Sequence, residues 1–294
     1  MSFFFEVIVL KAKKSHPIMS MRIPSKLTIA SYPGAKNDTN KHKSLFCLVP
    51  PEIPFLIEPF CGLANFFIRI SPKVEQAWLN DKDPEIFALL KCIQDSDLLK
   101  ELNEYISVLP IIEREDYYQW KKKVSSSLLE QAIKRLIILN CSPNGAGGGY
   151  SFQKAHSNWN ITKPDKLRLI HKIFNHKKVE ITNLDYSEVF KQQTATVTDQ
   201  ELFWYLDPPY CHIGKKSNLY GKGMNKIDWP TLKSYLGELS DFWILSNRDS
   251  LTIRDLFSEY YMFSYVTSRY PNSTFQRTTE LLISNYPIKP NFQY

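Results

Sequence analysis

The sequence predicts an α/β fold of the nucleotide-binding kind, and three observations carry that expectation. Residues 53–60 form an apolar run that breaks at Cys61-Gly62-Leu63-Ala64 and resumes as Asn65-Phe66-Phe67-Ile68, which reads as strand, tight glycine turn, helix. A second short run, Ala77-Trp78-Leu79-Asn80-Asp81, ends in an acid. A third, residues 202–206, leads straight into Asp207-Pro208-Pro209-Tyr210. Strand, turn, helix, strand and acid in that order open a nucleotide-binding fold.

The remaining elements follow along the chain. Pro84 suits the first turn of a helix over residues 85–90. Residues 96–175 change character: the pattern is mostly helical and carries Lys121-Lys122-Lys123 and Lys134-Arg135. Asn144-Gly145-Ala146-Gly147-Gly148-Gly149-Tyr150 interrupts it and cannot be helix. A β-hairpin is expected over residues 140–159, with the glycines in or near its loop; a flexible loop is the plainer reading of those glycines. The stretch lacks the Gly-Lys-Ser/Thr ending of a phosphate-binding P-loop. Alternating α/β character resumes with strands at 179–183, near Asp185, and then at 202–206, 241–246 and 280–285. The expected organisation is a discontinuous catalytic domain, 22–95 with 176–294, interrupted by a basic helical insertion, 96–175. Residues 1–21 read as an N-terminal extension.

Composition narrows the class. The 294 residues suffice for a sizeable core, and 43% hydrophobic with 23% charged residues is ordinary for a globular protein. The formal net charge of +7 favours an anionic partner such as nucleic acid. Five scattered cysteines without a Cys-x-x-Cys pair indicate neither a zinc site nor a disulfide framework, and point to a reducing, cytoplasmic compartment. The apolar start, residues 1–10, is too short to span a bilayer, and its basic residues follow the apolar run, unlike a signal peptide.

The segment Asp207-Pro208-Pro209-Tyr210 suits one demanding reaction, methylation of the amino group of a planar base. Such an amine is a poor nucleophile because its lone pair is delocalised into the ring. Two fixed acceptors, the Asp207 carboxylate and the Pro208 carbonyl, would take one N–H each and draw the nitrogen toward tetrahedral geometry. The proline fixes φ, so the direction of its carbonyl is preset. Pro209 stiffens the exit, and Tyr210 would stack on the base. The same four residues also suit a proline-stiffened strand exit with a surface Asp, and alone they do not separate the two.

Taken together, the chain resembles the Dam-like, alpha-class DNA adenine-N6 methyltransferases from about residue 32 to residue 286. Tyr32-Pro33-Gly34-Ala35-Lys36 is similar to the family's first motif, and Glu58-Pro59-Phe60-Cys61-Gly62-Leu63-Ala64 to its glycine loop. Asn80-Asp81, Asp185-Tyr186, Asp207-Pro208-Pro209-Tyr210, Ser246-Asn247 and Glu280-Leu281-Leu282-Ile283-Ser284-Asn285 match later motifs in order. The resemblance implies a Rossmann-like S-adenosylmethionine-dependent methyltransferase domain with a mostly helical DNA-recognition insertion. It implies S-adenosylmethionine as cofactor, with Tyr32 in the first cofactor motif. Lys36 would hold the cofactor carboxylate, Glu58 its amino group and Phe60 the region near its sulfonium; Gly62 would permit close backbone approach. Asp81 would take the ribose hydroxyls, and Asp185 the exocyclic amine of the cofactor's adenine; Asp207 borders both cofactor and target. Ala35 and Ala64 depart from the family's glycines, and Ala64 is tolerable if its backbone stays at φ < 0.

The resemblance also implies double-stranded DNA as partner, a flipped-out adenine as target, and a monomer. A cognate restriction endonuclease is a further partner it leaves open. Lys154, His156 and Asn158 are the expected sequence-reading contacts, with Lys121, Lys122 and Lys123 neutralising phosphates. Residues 268–279, with Arg269 and Arg277, are expected to form another backbone-contacting loop, and Cys211 and His212 to be packing or substrate-loop residues beside the site. The motif chemistry also fits N4 of cytosine or an RNA adenine, and an inactive DNA-binding relative is the rival of a different class.

Overall fold

The computed structural model describes residues 23–24, 27–30, 36, 42–109, 111–159, 163–195, 201–210, 227–269 and 276–287. The proposed extension 1–21, together with Tyr32, Ala35, Cys211 and His212, lies outside the described residues. In chain order the elements are α1 (Lys43–Leu48), β1 (Ile53–Glu58), α2 (Asn65–Ile70), β2 (Val74–Asn80), α3 (Pro84–Gln94), α4 (Ser96–Val108), α5 (Arg114–Lys122) and α6 (Leu128–Cys141). There follow α7 (Phe152–Asn158), α8 (Lys163–His176), β3 (Val179–Thr182), α9 (Tyr186–Ala195), β4 (Leu202–Leu206), α10 (Trp229–Glu238), β5 (Phe242–Arg248), α11 (Leu251–Leu256), β6 (Tyr261–Arg269) and β7 (Gln276–Ser284).

The strands form one sheet in the order β3-β2-β1-β4-β5-β7-β6. Strands β1 to β5 pair in parallel, and β7 lies antiparallel between β5 and β6. Parallel strands buried on both faces read as unbroken apolar runs, and β4 shows why. Its Phe203 and Tyr205 enter one core cluster with Leu56, Ala77, Leu79, Ile244 and Leu282. Its Leu202, Trp204 and Leu206 enter the other with Ile57, Trp78, Trp243, Leu245 and Leu281. Helices α9, α10 and α11 cover the second face through Val189, Phe190, Leu232, Leu236 and Ile253. Helices α2, α3, α4, α6 and α8 contribute to the first cluster, so the segment between β2 and β3 shares its core with the sheet.

That segment is built from capped helices. Asp83 accepts from the Glu85 N–H and Pro84 occupies the first turn of α3, while Asp95 caps α4 and Ser127 caps α6. The hairpin expected over 140–159 is not formed. Helix α6 runs to Cys141, the glycines turn the chain through positive φ at Gly145 (68°) and Gly147 (70°), and Ser151 caps α7. Residues 128–141 keep their apolar side chains at helical spacing, with Ala132, Ile133, Leu136, Ile137 and Leu139 all buried, and this periodicity outweighs the glycine signal next to it. Buried Lys163 donates to the Ile29 carbonyl (3.2 Å) and to Asn140 Oδ1 (2.6 Å), tying the segment between β2 and β3 to Ile29.

The expected loop over 268–279 is a second correction. Residues 261–269 and 276–284 pair as antiparallel strands with Ser268 opposite Arg277, leaving only residues 270–275 outside the description. Tyr261-Met262-Phe263-Ser264-Tyr265-Val266-Thr267 is rich in aromatic and β-branched residues, which fit a pleated surface.

Candidate active site

In a doubly wound sheet, the crevice lies at the carboxyl ends of the strands where the strand order reverses. Here β1 and β4 are neighbours whose crossovers run in opposite directions, and they end at Glu58 and Leu206. Asp207 is the first residue past β4. Topology alone therefore brings Glu58 and Asp207, far apart in sequence, to one crevice.

The glycine loop closes the first wall. Cys61 N–H donates to the Asn80 carbonyl (2.9 Å), and Ala64 N–H to the Cys61 carbonyl (2.8 Å), forming a tight turn into α2. Gly62 holds φ 51°. Ala64 does not stay at negative φ: it sits in the left-handed region at φ 53°, fully buried. An L-residue there carries strain of roughly 1–2 kcal/mol, so the departure from glycine has an energetic consequence. Asp81 spans the loop, accepting from the Gly62 N–H (2.8 Å) and the Asp83 N–H (2.9 Å). Burial pushes its carboxyl up to about 6, against the two backbone donors.

Asn80, quoted in the sequence only as part of a motif, joins three strand exits. Its Nδ2 donates to the Pro59 and Leu184 carbonyls (both 3.0 Å), while its Oδ1 accepts from Thr182 Oγ1 and the Leu184 N–H (both 2.8 Å). This buried amide fixes the ends of β1, β2 and β3 relative to one another. The sequence signal is a lone amide at the end of an apolar strand.

Glu58 is 1% exposed, and among the described residues no hydrogen bond reaches its Oε1. Burial holds its carboxyl well above the usual carboxylate range, the Phe67 N–H acts the other way, and Asp207 adds to the rise. Phe60 packs its ring against Tyr186 at 5.3 Å. Asp185 lies past β3 as expected, but pairs with Lys82 (2.8 Å) and accepts from Ser187 N–H and Oγ. Burial raises the Asp185 carboxyl, and Lys82 with Ser187 outweighs it, leaving the acid below its ordinary value.

On the β4 side the structure brings together more than the motif predicted. Lys36 Nζ lies 3.2 and 3.3 Å from the two Asp207 carboxylate oxygens, donates to the Tyr210 hydroxyl at 2.7 Å, and stands 3.8 Å from Glu280 Oε2. The Tyr210 hydroxyl in turn donates to Glu280. Lys36 thus lies on Asp207 and Tyr210, whereas the resemblance implied that it would hold the cofactor carboxylate. Burial pushes the Lys36 ammonium down, but Asp207 and Glu280 outweigh that and hold it firmly protonated. Glu280, 2% exposed on β7, was quoted in the sequence only as the first residue of a motif match and was given no role. Pro208 is buried and Pro209 half-buried.

The basic residues of the segment between β2 and β3 divide. Lys121 donates to the Gly148 carbonyl (2.7 Å), and Lys123 pairs with Glu130 (2.6 Å) over the Trp120 ring. Lys122 is exposed. On α7, His156 is exposed with its ring tilted against Phe152 at 3.8 Å, Lys154 is half-buried, and Asn158 Nδ2 lies 3.5 Å from the Asn140 carbonyl.

Among solved structures, the chain is similar to a precorrin-6y C5,15-methyltransferase from Geobacter metallireducens, with 7% identity and a TM-score of 0.43 over 90% of this chain and all of that one (100%). It is also similar to a precorrin 8w decarboxylase from Methanobacterium thermoautotrophicum, with 10% identity and a TM-score of 0.36 over 86% of this chain and 92% of that one. No curated protein matches the chain. Among the described residues, no helix is long and apolar enough to cross a membrane. Residues 32–271 match the D12 class N6 adenine-specific DNA methyltransferases, and with its motifs standing in order around the switch point of a seven-stranded sheet, this chain belongs to that family.

Proposed function

We propose that the protein transfers a methyl group from S-adenosylmethionine to the N6 amino group of an adenine flipped out of duplex DNA. The observation that carries this reading is the placement of Asp207 and Pro208 at the end of β4, beside the β1 exit, in a chain of this family.

The residues at the β1 and β2 exits fit such a cofactor. Glu58 Oε1, unpartnered among the described residues, suits an ammonium group. Gly62 leaves the loop backbone open to close approach, and Asp81 keeps lone pairs beyond its two backbone bonds for ribose hydroxyls. Phe60, with Tyr186 behind it, offers an aromatic face for the sulfonium region. When bound, S-adenosylmethionine supplies an electrophilic methyl group.

The chain's own residues do the rest. Asp207 and the Pro208 carbonyl hold the two N–H groups of the target amine, and Asp207 takes a proton as the nitrogen becomes acidic. Lys36, held on Asp207, keeps that carboxylate aimed. A stacked base is out of reach of buried groups, so the adenine must leave the helix at a cost of roughly a few kcal/mol. Exposed Lys122 and His156 and half-buried Lys154 are the insertion's side chains best placed to meet DNA, whereas Asn158 faces the insertion's own backbone. The reading is tested by transfer of labelled methyl to unmethylated duplex DNA, followed by nucleoside analysis.

A further inference from the structure

The Asp207 motif stands on a strand exit, and two of its residues are prolines that contribute no N–H to hold it. Something else must fix it. Glu280 sits in the interior of the sheet, on β7, with backbone ladders on both sides: it lies opposite Arg248 of β5 and Tyr265 of β6. A side chain on such a strand is held more firmly than one on a loop. Its carboxylate, 2% exposed, accepts the Tyr210 hydroxyl proton and lies 3.8 Å from Lys36 Nζ. Lys36 itself reaches both oxygens of Asp207. The four groups make a closed chain, Asp207–Lys36–Tyr210–Glu280, in which only Glu280 is anchored on both sides by a sheet. Burying one ammonium between two carboxylates is costly unless every group is bonded, so the cluster holds together or fails as a unit.

We propose that Glu280 is a positioning residue for methyl transfer: through the Tyr210 hydroxyl and the Lys36 ammonium it fixes Asp207 and the Tyr210 ring where the target base must meet them. The inference rests on the adenine-methylation reading above. Glu280 touches neither methyl donor nor target. Its removal acts on the geometry that matters in the transition state, so turnover falls while the affinities of the bound partners stay.

Glu280→Gln tests this, because the amide keeps an acceptor for Tyr210 and a similar volume but loses the charge on Lys36. Steady-state methyl transfer to duplex DNA is measured for the wild type, Glu280→Gln, Tyr210→Phe and the double variant, alongside calorimetric S-adenosylmethionine binding and urea unfolding. Turning the charge-assisted Tyr210 bond into a neutral one and removing the carboxylate 3.8 Å from Lys36 predicts a fall in kcat of about 10- to 100-fold for Glu280→Gln. KM for DNA and the cofactor Kd should shift by less than about threefold, and the double variant should fall well short of the product of the singles. Wild-type kcat in Glu280→Gln overturns the proposal. So does a loss confined to stability or cofactor affinity, or a double variant whose effects multiply. If Glu280→Gln does not fold, Glu280→Asp is measured instead; its shorter carboxylate keeps the charge but withdraws from Tyr210, and wild-type kcat there overturns the proposal equally. Wild-type protein that binds S-adenosylmethionine yet methylates no DNA contradicts the functional reading instead, a result distinct from any of these.

Discussion

Glu58→Gln separates the stability of this site from its use. Glu58 is 1% exposed, its Oε1 makes no hydrogen bond among the described residues, and Asp207 lies close enough to add repulsion. All three conditions favour the neutral acid. In the unfolded chain the carboxyl titrates at its ordinary value of 4.5; in the folded protein it titrates well above that. The folded state therefore binds more protons than the unfolded state over this window, and stability falls as pH rises from 4.5 toward the folded value. One such group contributes a slope of about 1.4 kcal/mol per pH unit. Above pH 4.5, where the folded state keeps the proton that the unfolded chain releases, wild type should lose stability relative to Glu58→Gln, which has no proton to exchange. Taking the difference between the two proteins removes the contribution of Asp81, which titrates in part of the same window. Urea unfolding at several pH values measures it. The variant should also bind S-adenosylmethionine about 10- to 100-fold more weakly, since a charge-assisted hydrogen bond contributes about 1.5–3 kcal/mol. Parallel stability curves, or unchanged cofactor affinity, would refute the argument.

Ala64→Gly should be close to neutral in urea unfolding: relief of about 1–2 kcal/mol at φ 53° is offset by about 0.5–1 kcal/mol of chain entropy and about 0.8 kcal/mol for the buried methyl. Ala64→Val should destabilise by more than about 2 kcal/mol, because a β-branched residue is worse at positive φ and the site is full. A large loss for glycine, or tolerance of valine, would contradict the strain assignment. Lys122→Ala should reduce the slope of log affinity for duplex DNA against log salt by about 0.9, the value for one phosphate contact. Lys123→Ala should change it less, because that ammonium is paired with Glu130; equal effects would show that the pairing does not hold in the complex.

The sheet was legible because its strands are short apolar runs closed by turn residues, and buried parallel strands leave that trace in any sequence. The switch-point residues Glu58, Asp81 and Asp207 were legible for the same reason, as each stands where such a run ends. Strand β6 was missed because Ser264, Thr267 and Ser268 broke its apolar run. The hairpin failed because glycines mark a turn without saying what the turn connects, and α6 supplied a helix. The ammonium–carboxylate cluster had no local signature: Lys36 and Asp207 are separated by 171 positions, and Tyr210 and Glu280 by 70. Such pairings follow from the order of strands in the sheet, and they place Lys36 against Asp207 and Tyr210.

Transfer of labelled methyl from S-adenosylmethionine to unmethylated duplex DNA, compared between wild type and Asp207→Ala, tests the central claim most directly. The account predicts N6-methyladenine in the digested wild-type product. It also predicts loss of turnover in the variant, with cofactor binding kept. Label on cytosine, label only on RNA, or wild-type turnover without the Asp207 carboxylate would contradict it.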